Sequence, residues 1–148
     1  MITEVLKKEH LSDVAEIERE CFTEPWSARA LELLLTDDAM GIVCECDGAV
    51  AAYGGILWAP DEGQITNIAV REAFRKRGIG DAVLSAVIAA ARERACVQIS
   101  LEVRESNRAA IALYEKHGFA VAGRRRHFYK APAEDALVMI LTLTNEKE

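Results

Sequence analysis

N-I-A-V-R-E-A-F-R-K-R-G-I-G-D-A-V-L, residues 67–84, leads from an apolar strand into a long apolar-periodic helix. The turn between them, Arg75-Lys76-Arg77-Gly78-Ile79-Gly80, packs two glycines and three cations into six residues. Glycine lets backbone N–H groups turn inward with no Cβ in the way. A helix starting there leaves its first N–H donors without intrahelical acceptors, and its dipole favours an anion in front of them. Strand, glycine turn and helix N-terminus together compose a phosphate cradle. Spacing excludes two familiar versions of it. A dinucleotide fingerprint would need a third glycine where this chain has Val83, and no Gly-Lys-Ser/Thr run of a P-loop occurs. A merely tight strand–helix connection would use the same residues.

Working outward, Ile79, Val83, Ala86, Val87 and Ala90 make one helical stripe, widened by Leu84, Ile88 and Ala91, so this helix is expected to run buried to about residue 94. Upstream, residues 40–46 and 50–58 form strands around the strong hairpin signal Asp47-Gly48. Gly54-Gly55 suggests a bulge or a close backbone approach, 59–63 a loop, and 64–70 the strand entering the cradle. Residues 2–6 alternate weakly as a first strand. Residues 9–22 carry Leu11, Val14, Ile17, Cys21 and Phe22 at helical spacing, with acids expected on the other face. Pro25 pushes Glu24 away from helix, and Ser27 caps a second helix with Leu31, Leu34 and Leu35. Downstream, residues 97–103 alternate as a strand. Ser106 or Asn107 then caps a helix carrying Ala110, Leu113, Tyr114 and His117, which Gly118 ends. Strands over 119–126 and 136–144 follow, joined by a loop containing Phe128, Tyr129 and Pro132, with a frayed tail at 145–148. The order β-α-α-β-β-β-α-β-α-β-β gives a mixed sheet flanked by helices, α/β in class, in one domain over residues 1–148.

With 148 residues the chain can bury about two-thirds of its unfolded surface. Its 51% apolar and 28% charged residues are those of an ordinary globular protein. No apolar run reaches the roughly 20 residues that span a bilayer, and the charged N-terminus lacks a signal-peptide core, so no membrane partner and a cytoplasmic location are expected. A net charge of −6 argues against a nucleic-acid partner and is compatible with a basic peptide as substrate. Cys21, Cys44, Cys46 and Cys96 are scattered, with no second pair or histidine cluster at tetrahedral spacing, so no metal is expected.

The basic glycine turn resembles the R/Q-x-x-G-x-G/A segment of the GNAT family of N-acetyltransferases, which binds the pyrophosphate of acetyl-coenzyme A. The element order is also that family's, a mostly antiparallel central sheet between helices. Ile65-Thr66-Asn67-Ile68-Ala69-Val70, Leu101-Glu102-Val103-Arg104, Asn107 with Ala112-Leu113-Tyr114-Glu115-Lys116-His117-Gly118-Phe119, Glu134-Asp135-Ala136-Leu137-Val138-Met139, and Phe22 with Pro25-Trp26-Ser27 are similar to the RimI-type group within it. That group acetylates the N-terminal alanine of a small-subunit ribosomal protein. The resemblance implies acetyl-coenzyme A as co-substrate and a protein N-terminus, that of a basic ribosomal protein, as acceptor.

Acetyl transfer needs an amine to lose a proton before it attacks the thioester, and a thiolate to gain one as it leaves. The resemblance implies Glu102 as base and Tyr114 as acid. It implies pantetheine contacts from the backbone of Ile68, Ala69 and Val70. Pyrophosphate contacts would come from the backbone N–H groups of Lys76, Arg77, Gly78, Ile79, Gly80 and Asp81, with Asn107 touching the cofactor. Trp26, Phe128 and Tyr129 would flank the acceptor. On the residues alone, Glu102 is equally a solvated carboxylate at a strand end, Tyr114 a core aromatic, and Asn107 a plain helix cap. The family's paired tyrosines before the last strand are Phe128-Tyr129 here, so one hydroxyl toward the acceptor is missing. Acetylation of lysine side chains or of a small amine, and a non-catalytic coenzyme-A-binding module, remain alternatives. A covalent route through Cys96 has no base at a recognisable spacing.

Overall fold

The computed structural model describes residues 1–143, and the tail expected over 145–148 lies outside the described residues. Seven strands form one sheet: β1 (Ile2–Val5), β2 (Ala39–Cys46), β3 (Ala49–Ala59), β4 (Glu62–Val70), β5 (Gln98–Arg104), β6 (Ala120–Lys130) and β7 (Ala133–Thr142). They lie in the order β1-β2-β3-β4-β5-β7-β6. Every pairing is antiparallel except β4 with β5. Four helices connect them: α1 (Leu11–Cys21), α2 (Ala28–Leu31), α3 (Ile79–Glu93) and α4 (Arg108–Lys116). The expected order of elements is the observed one. Among the described residues no helix is long and apolar enough to cross a membrane.

Local chemistry accounts for the ends of these elements. Asp47 and Gly48 both adopt positive φ, 56° and 81°, as a two-residue hairpin that follows the sheet's twist requires. The Ser27 hydroxyl accepts the Ala30 N–H at 3.1 Å and opens α2, and Asn107 Oδ1 accepts the Ala110 N–H at 3.2 Å and opens α4. On α3, Ile79, Val83, Leu84, Val87 and Ala91 are buried against β2, β3 and β4, which centres the predicted stripe. A second core on the other side of the sheet gathers Leu11, Val14 and Ile17 of α1, Leu31 of α2, and Val43 and Tyr53.

Two stretches differ from expectation. The loop over 59–63 shrinks to Pro60 and Asp61, because Asp61 takes a left-handed turn (φ 65°) and β4 starts at Glu62. Phe128 and Tyr129 belong to β6 and not to a loop, since that strand continues to Lys130 and returns through Ala131 and Pro132. Between Arg125 and Tyr129 its register slips in a bulge centred on His127 (φ 53°). Asp135 secures the bulge by accepting the His127 N–H at 2.9 Å and pairing with Arg124 at 3.3 Å.

Candidate active site

The two halves of the sheet meet over a very short seam. Glu62, Gly63 and Gln64 of β4 pair with Gln98, Ile99 and Ser100 of β5, and beyond Gln64 the strands separate. A bulge in β4 helps turn it away: Gly55 pairs with Asn67 and Ile56 with Ile65, so Thr66 is the extra residue. The Thr66 hydroxyl is buried there without a hydrogen-bond partner among the described residues. The separation opens a cleft of about 500 Å³. Ile68 of β4, Glu102 of β5, Asn107 and Tyr114 of α4, Trp26, and Phe128 and Tyr129 all line it. Seven residues picked from distant stretches of the chain therefore share one cavity.

Glu102 alternates with buried Ile99, Leu101 and Val103 along β5, so its carboxylate leaves the sheet on the opposite face. It accepts from Arg125 Nε of β6 at 2.8 Å and from Gln64 Nε2 at 3.4 Å. Tyr114 is buried, its ring tilted against Phe119 with centroids 5.7 Å apart. Burial first, and the neighbouring Tyr129 second, push its phenol above the usual range, so it stays protonated and able to donate. Tyr129 lies under the Arg104 guanidinium at 4.2 Å, and Phe128 meets it edge-on at 5.0 Å. Arg104 also donates to the Ala131 and Pro132 carbonyls and pairs with Glu134, which pins the β6–β7 turn beside the cleft. From the opposite wall the Thr23 hydroxyl donates to the Ala131 carbonyl, so the α1–α2 turn and the β6–β7 turn touch across the opening.

The glycine turn lies beyond the cleft, at the N-terminus of α3. Gly78 has φ 78°, which only glycine adopts without strain, and Lys76 has φ 64°. Among the described residues, the backbone N–H groups of Lys76, Arg77, Gly78, Ile79, Gly80 and Asp81 donate no hydrogen bond within the chain; the first such bond into α3 runs from Ala82 to the Gly78 carbonyl at 3.1 Å. Free donors at a helix N-terminus suit a diphosphate. The side chains of this segment are committed elsewhere. Arg75 donates to the Val70 carbonyl at 3.0 Å, and Arg77 pairs with Asp47 at 3.1 Å. Asp81 accepts from His117 at 2.9 Å, which lowers its carboxyl below the usual 3.8, and Lys116 adds to the effect. Beside the cradle, β4 from Ile65 to Val70 has a strand neighbour on the β3 side only. Of the three residues expected along the cofactor arm, Ile68 lines the cleft, Ala69 is buried, and the Val70 carbonyl also accepts from Cys21 Sγ at 3.4 Å.

One residue of the cleft escaped the sequence reading and corrects it. The acids of α1 do not all face solvent: Glu18 is fully buried, accepting from the Trp26 N–H, the Tyr53 hydroxyl and Asn67 Nδ2. Its spacing, four residues after Val14 and seven after Leu11, places it on the apolar stripe. That spacing was the available signal. Of the thiols, Cys96 is buried outside the cleft, and Cys21, which lines it, is held in its thiol form by burial. Glu4, His10 and Glu45 gather far from the cleft, but His10 Nδ1 accepts the Lys7 N–H at 2.9 Å, leaving its proton on Nε2 toward Glu4.

Residues 11–119 match the family model described as the acetyltransferase (GNAT) family. The chain belongs to that family. The ribosomal protein bS18-alanine N-acetyltransferase of Salmonella typhimurium is 34% identical over 142 residues, covering 95% of this chain and 96% of its own. The N-alpha-acetyltransferase RimI of Mycobacterium tuberculosis is 33% identical over 132 residues, covering 84% and 82%. The crystal structure of the Escherichia coli ribosomal-protein-S18-alanine N-acetyltransferase superposes with a TM-score of 0.89 at 31% identity, over 99% of this chain and 97% of that one. The mixed, mostly antiparallel sheet of this acetyltransferase is the fold the sequence implied.

Proposed function

We propose that residues 1–148 act as one N-acetyltransferase domain that moves the acetyl group of acetyl-coenzyme A to the N-terminal α-amine of a protein, in a ternary complex. The acceptor on this reading is the N-terminal alanine of a basic small-subunit ribosomal protein, and the relatives from Salmonella typhimurium and Escherichia coli are named as ribosomal protein bS18- and S18-alanine N-acetyltransferases. One observation carries the proposal: the wedge between β4 and β5 has free helix N-terminal donors at one end and Glu102 and Tyr114 in its wall.

Acetyl-coenzyme A supplies the thioester. The backbone donors from Lys76 to Asp81 hold its pyrophosphate, and the open side of Ile68, Ala69 and Val70 aligns its pantetheine arm. Asn107 sits at the head of α4 beside that arm. The acceptor enters between the Trp26 turn and the Phe128-Tyr129 end of β6. Glu102 takes a proton from the acceptor's ammonium, and the freed amine attacks the thioester carbonyl. Tyr114 then gives its proton to the departing thiolate as the C–S bond breaks, and the proton still on the acylated nitrogen is lost to restore the phenol as the neutral amide forms. An α-amine, with pKa about 7.7–8.0, yields its proton far more readily than a lysine at about 10.4. A site with one carboxylate as base suits the easier proton.

The test is acetyl transfer, read by mass, to a peptide beginning Ala-Arg and to the same peptide blocked at its N-terminus with lysines free. Acetylation of the free peptide alone is expected. Equal rates on both would assign lysine as the acceptor.

A further inference from the structure

Donors from three segments converge on the one carboxylate that α1 buries. The Trp26 N–H donates to Glu18 Oε1 at 2.8 Å, while Oε2 accepts from Asn67 Nδ2 at 2.8 Å and from the Tyr53 hydroxyl. Asn67 Nδ2 also lies 3.0 Å from the Tyr53 hydroxyl, which closes the network into a ring. No cation of the described residues joins it: burial raises the Glu18 carboxyl above the usual 4.5, and only the bonds from Tyr53, Trp26 and Asn67 pull it back. Burying a carboxylate in this way is costly unless donors surround it.

A core position has no need of such a group. An apolar side chain would fill the space without the desolvation cost, and a glutamine would turn an NH₂ toward at least one of the three donors. What a carboxylate alone provides is a single acceptor for all three. Two of its donors belong to the walls of the cleft. Trp26 is in the turn between α1 and α2, and Asn67 follows the extra residue Thr66 in the β4 bulge; both line the cavity, as does Glu18 itself. The third, Tyr53, is fully buried and anchors the ring to β3.

We propose that Glu18 is a positioning residue for the acceptor, holding the Trp26 turn against Asn67 in the arrangement that receives the incoming peptide. The pyrophosphate cradle at the N-terminus of α3 shares no hydrogen bond with this ring among the described residues, and the end of β4 meets it only through the chain leaving Asn67 and the sheet pairing of Tyr53 with Ala69. This inference rests on reading the cleft as an acetyltransferase active site, and deepens it by assigning acceptor binding to a buried network.

The experiment uses Glu18→Gln in the full chain with Trp58→Phe, which leaves Trp26 as the only tryptophan. Losing a charge-assisted hydrogen bond at the Trp26 N–H is expected to raise the peptide KM about tenfold while kcat and the acetyl-coenzyme A KM move less than about twofold. Acrylamide is expected to quench Trp26 fluorescence more strongly in the variant than in its Trp58→Phe parent. Should Glu18→Gln fail to fold by thermal melting, Asn67→Ala and Tyr53→Phe each remove one donor and carry the same KM split. An unchanged peptide KM in a folded variant, or a proportionate loss in kcat and both KM values, overturns the proposal. If the parent acetylates the N-blocked lysine peptide as fast as the free one, the α-amine reading fails alone, and Glu18 is judged by the same split on the lysine peptide.

Discussion

Glu102 and Arg125 are joined across the sheet edge: Arg125 Nε of β6 sits 2.8 Å from Glu102 Oε2, with the guanidinium side chain 59% exposed and the carboxylate 16%. The group assigned to remove the acceptor's proton thus holds a cation that water can take over. Glu102→Gln is expected to lower kcat by about 10²–10⁴-fold, the usual worth of a positioned base. Arg125→Gln is expected to change kcat by less than about fivefold, because the guanidinium is open to water and an ion pair screened from that side is worth about 1 kcal/mol. Steady-state rates on one peptide decide it. Equal losses in both variants would give the guanidinium a direct part in the chemistry.

Tyr114 is buried at the cleft with its phenol pushed up by desolvation, so it is protonated wherever the enzyme is assayed. Tyr114→Phe is expected to cut kcat by about 10²–10⁴-fold. Coenzyme A should still raise the melting temperature, since the hydroxyl acts as the thiolate leaves. Wild-type turnover in the folded variant would return Tyr114 to a packing role beside Phe119.

Coenzyme A at about 100 times its Kd is expected to stabilise the fold by about 2.7 kcal/mol. Gly78→Val should abolish that shift, because φ 78° strains a β-branched residue and no neighbour lies within 4 Å of the added Cβ to compensate or to clash. Scanning calorimetry with and without ligand tests it. A full ligand shift in the folded variant would remove the cradle from the cofactor site.

Asp81 ties α3 to α4 through His117 at 2.9 Å and Lys116 at 3.2 Å, which depresses its carboxyl in the folded state. A depressed acid contributes stability above its unfolded pKa and loses it as pH falls through the folded value. Asp81→Asn is therefore expected to melt below wild type at pH 6, with the gap closing as the pH drops below about 3.9. A gap that persists at pH 3 would mean that the carboxylate charge is not the source.

A methyl group at Gly54 would lie 2.7 Å from Ile68 Cδ1 and 2.8 Å from Val83 Cγ1, where α3 crosses β3 and β4. Gly54→Ala is expected to cost about 1–3 kcal/mol in urea unfolding. A neutral result would show that α3 can lift without loss.

What was legible in the chain followed from periodicity and turn chemistry. The α3 stripe, the Asp47-Gly48 turn and the Ser27 and Asn107 caps announce themselves within a few residues. The end of β6 does not. That strand is exposed along nearly its whole length, so no period-2 apolar alternation marks it, and its continuation past Arg126 depends on Asp135, a residue of the next strand. From the sequence alone Phe128 and Tyr129 therefore read as loop. Glu18 was lost to a different cause. Its donors come from residues 8, 35 and 49 positions away, and no local rule sees such a convergence. Along the chain, Glu102 and Arg125 are likewise two unrelated charges.

The seam between β4 and β5 bears on how this scaffold can be redesigned. Each half of the sheet fixes its own register, β1 to β4 through two hairpins and the long return of β1, and β6 with β7 through a third. As strand pairing the halves share only Glu62, Gly63 and Gln64 with Gln98, Ile99 and Ser100, beside which the Val97 N–H donates to the Asp61 carbonyl and one apolar core runs under both. Their mutual angle is therefore set by the side chains at the join together with the core beneath it. At Gly63, for instance, an added Cβ would press on Ile56 Cδ1 at 2.6 Å. Substitutions confined to that join would widen or narrow the wedge for larger acyl groups while leaving the hairpins of each half, Glu102 on β5 and Tyr114 on α4 as they are.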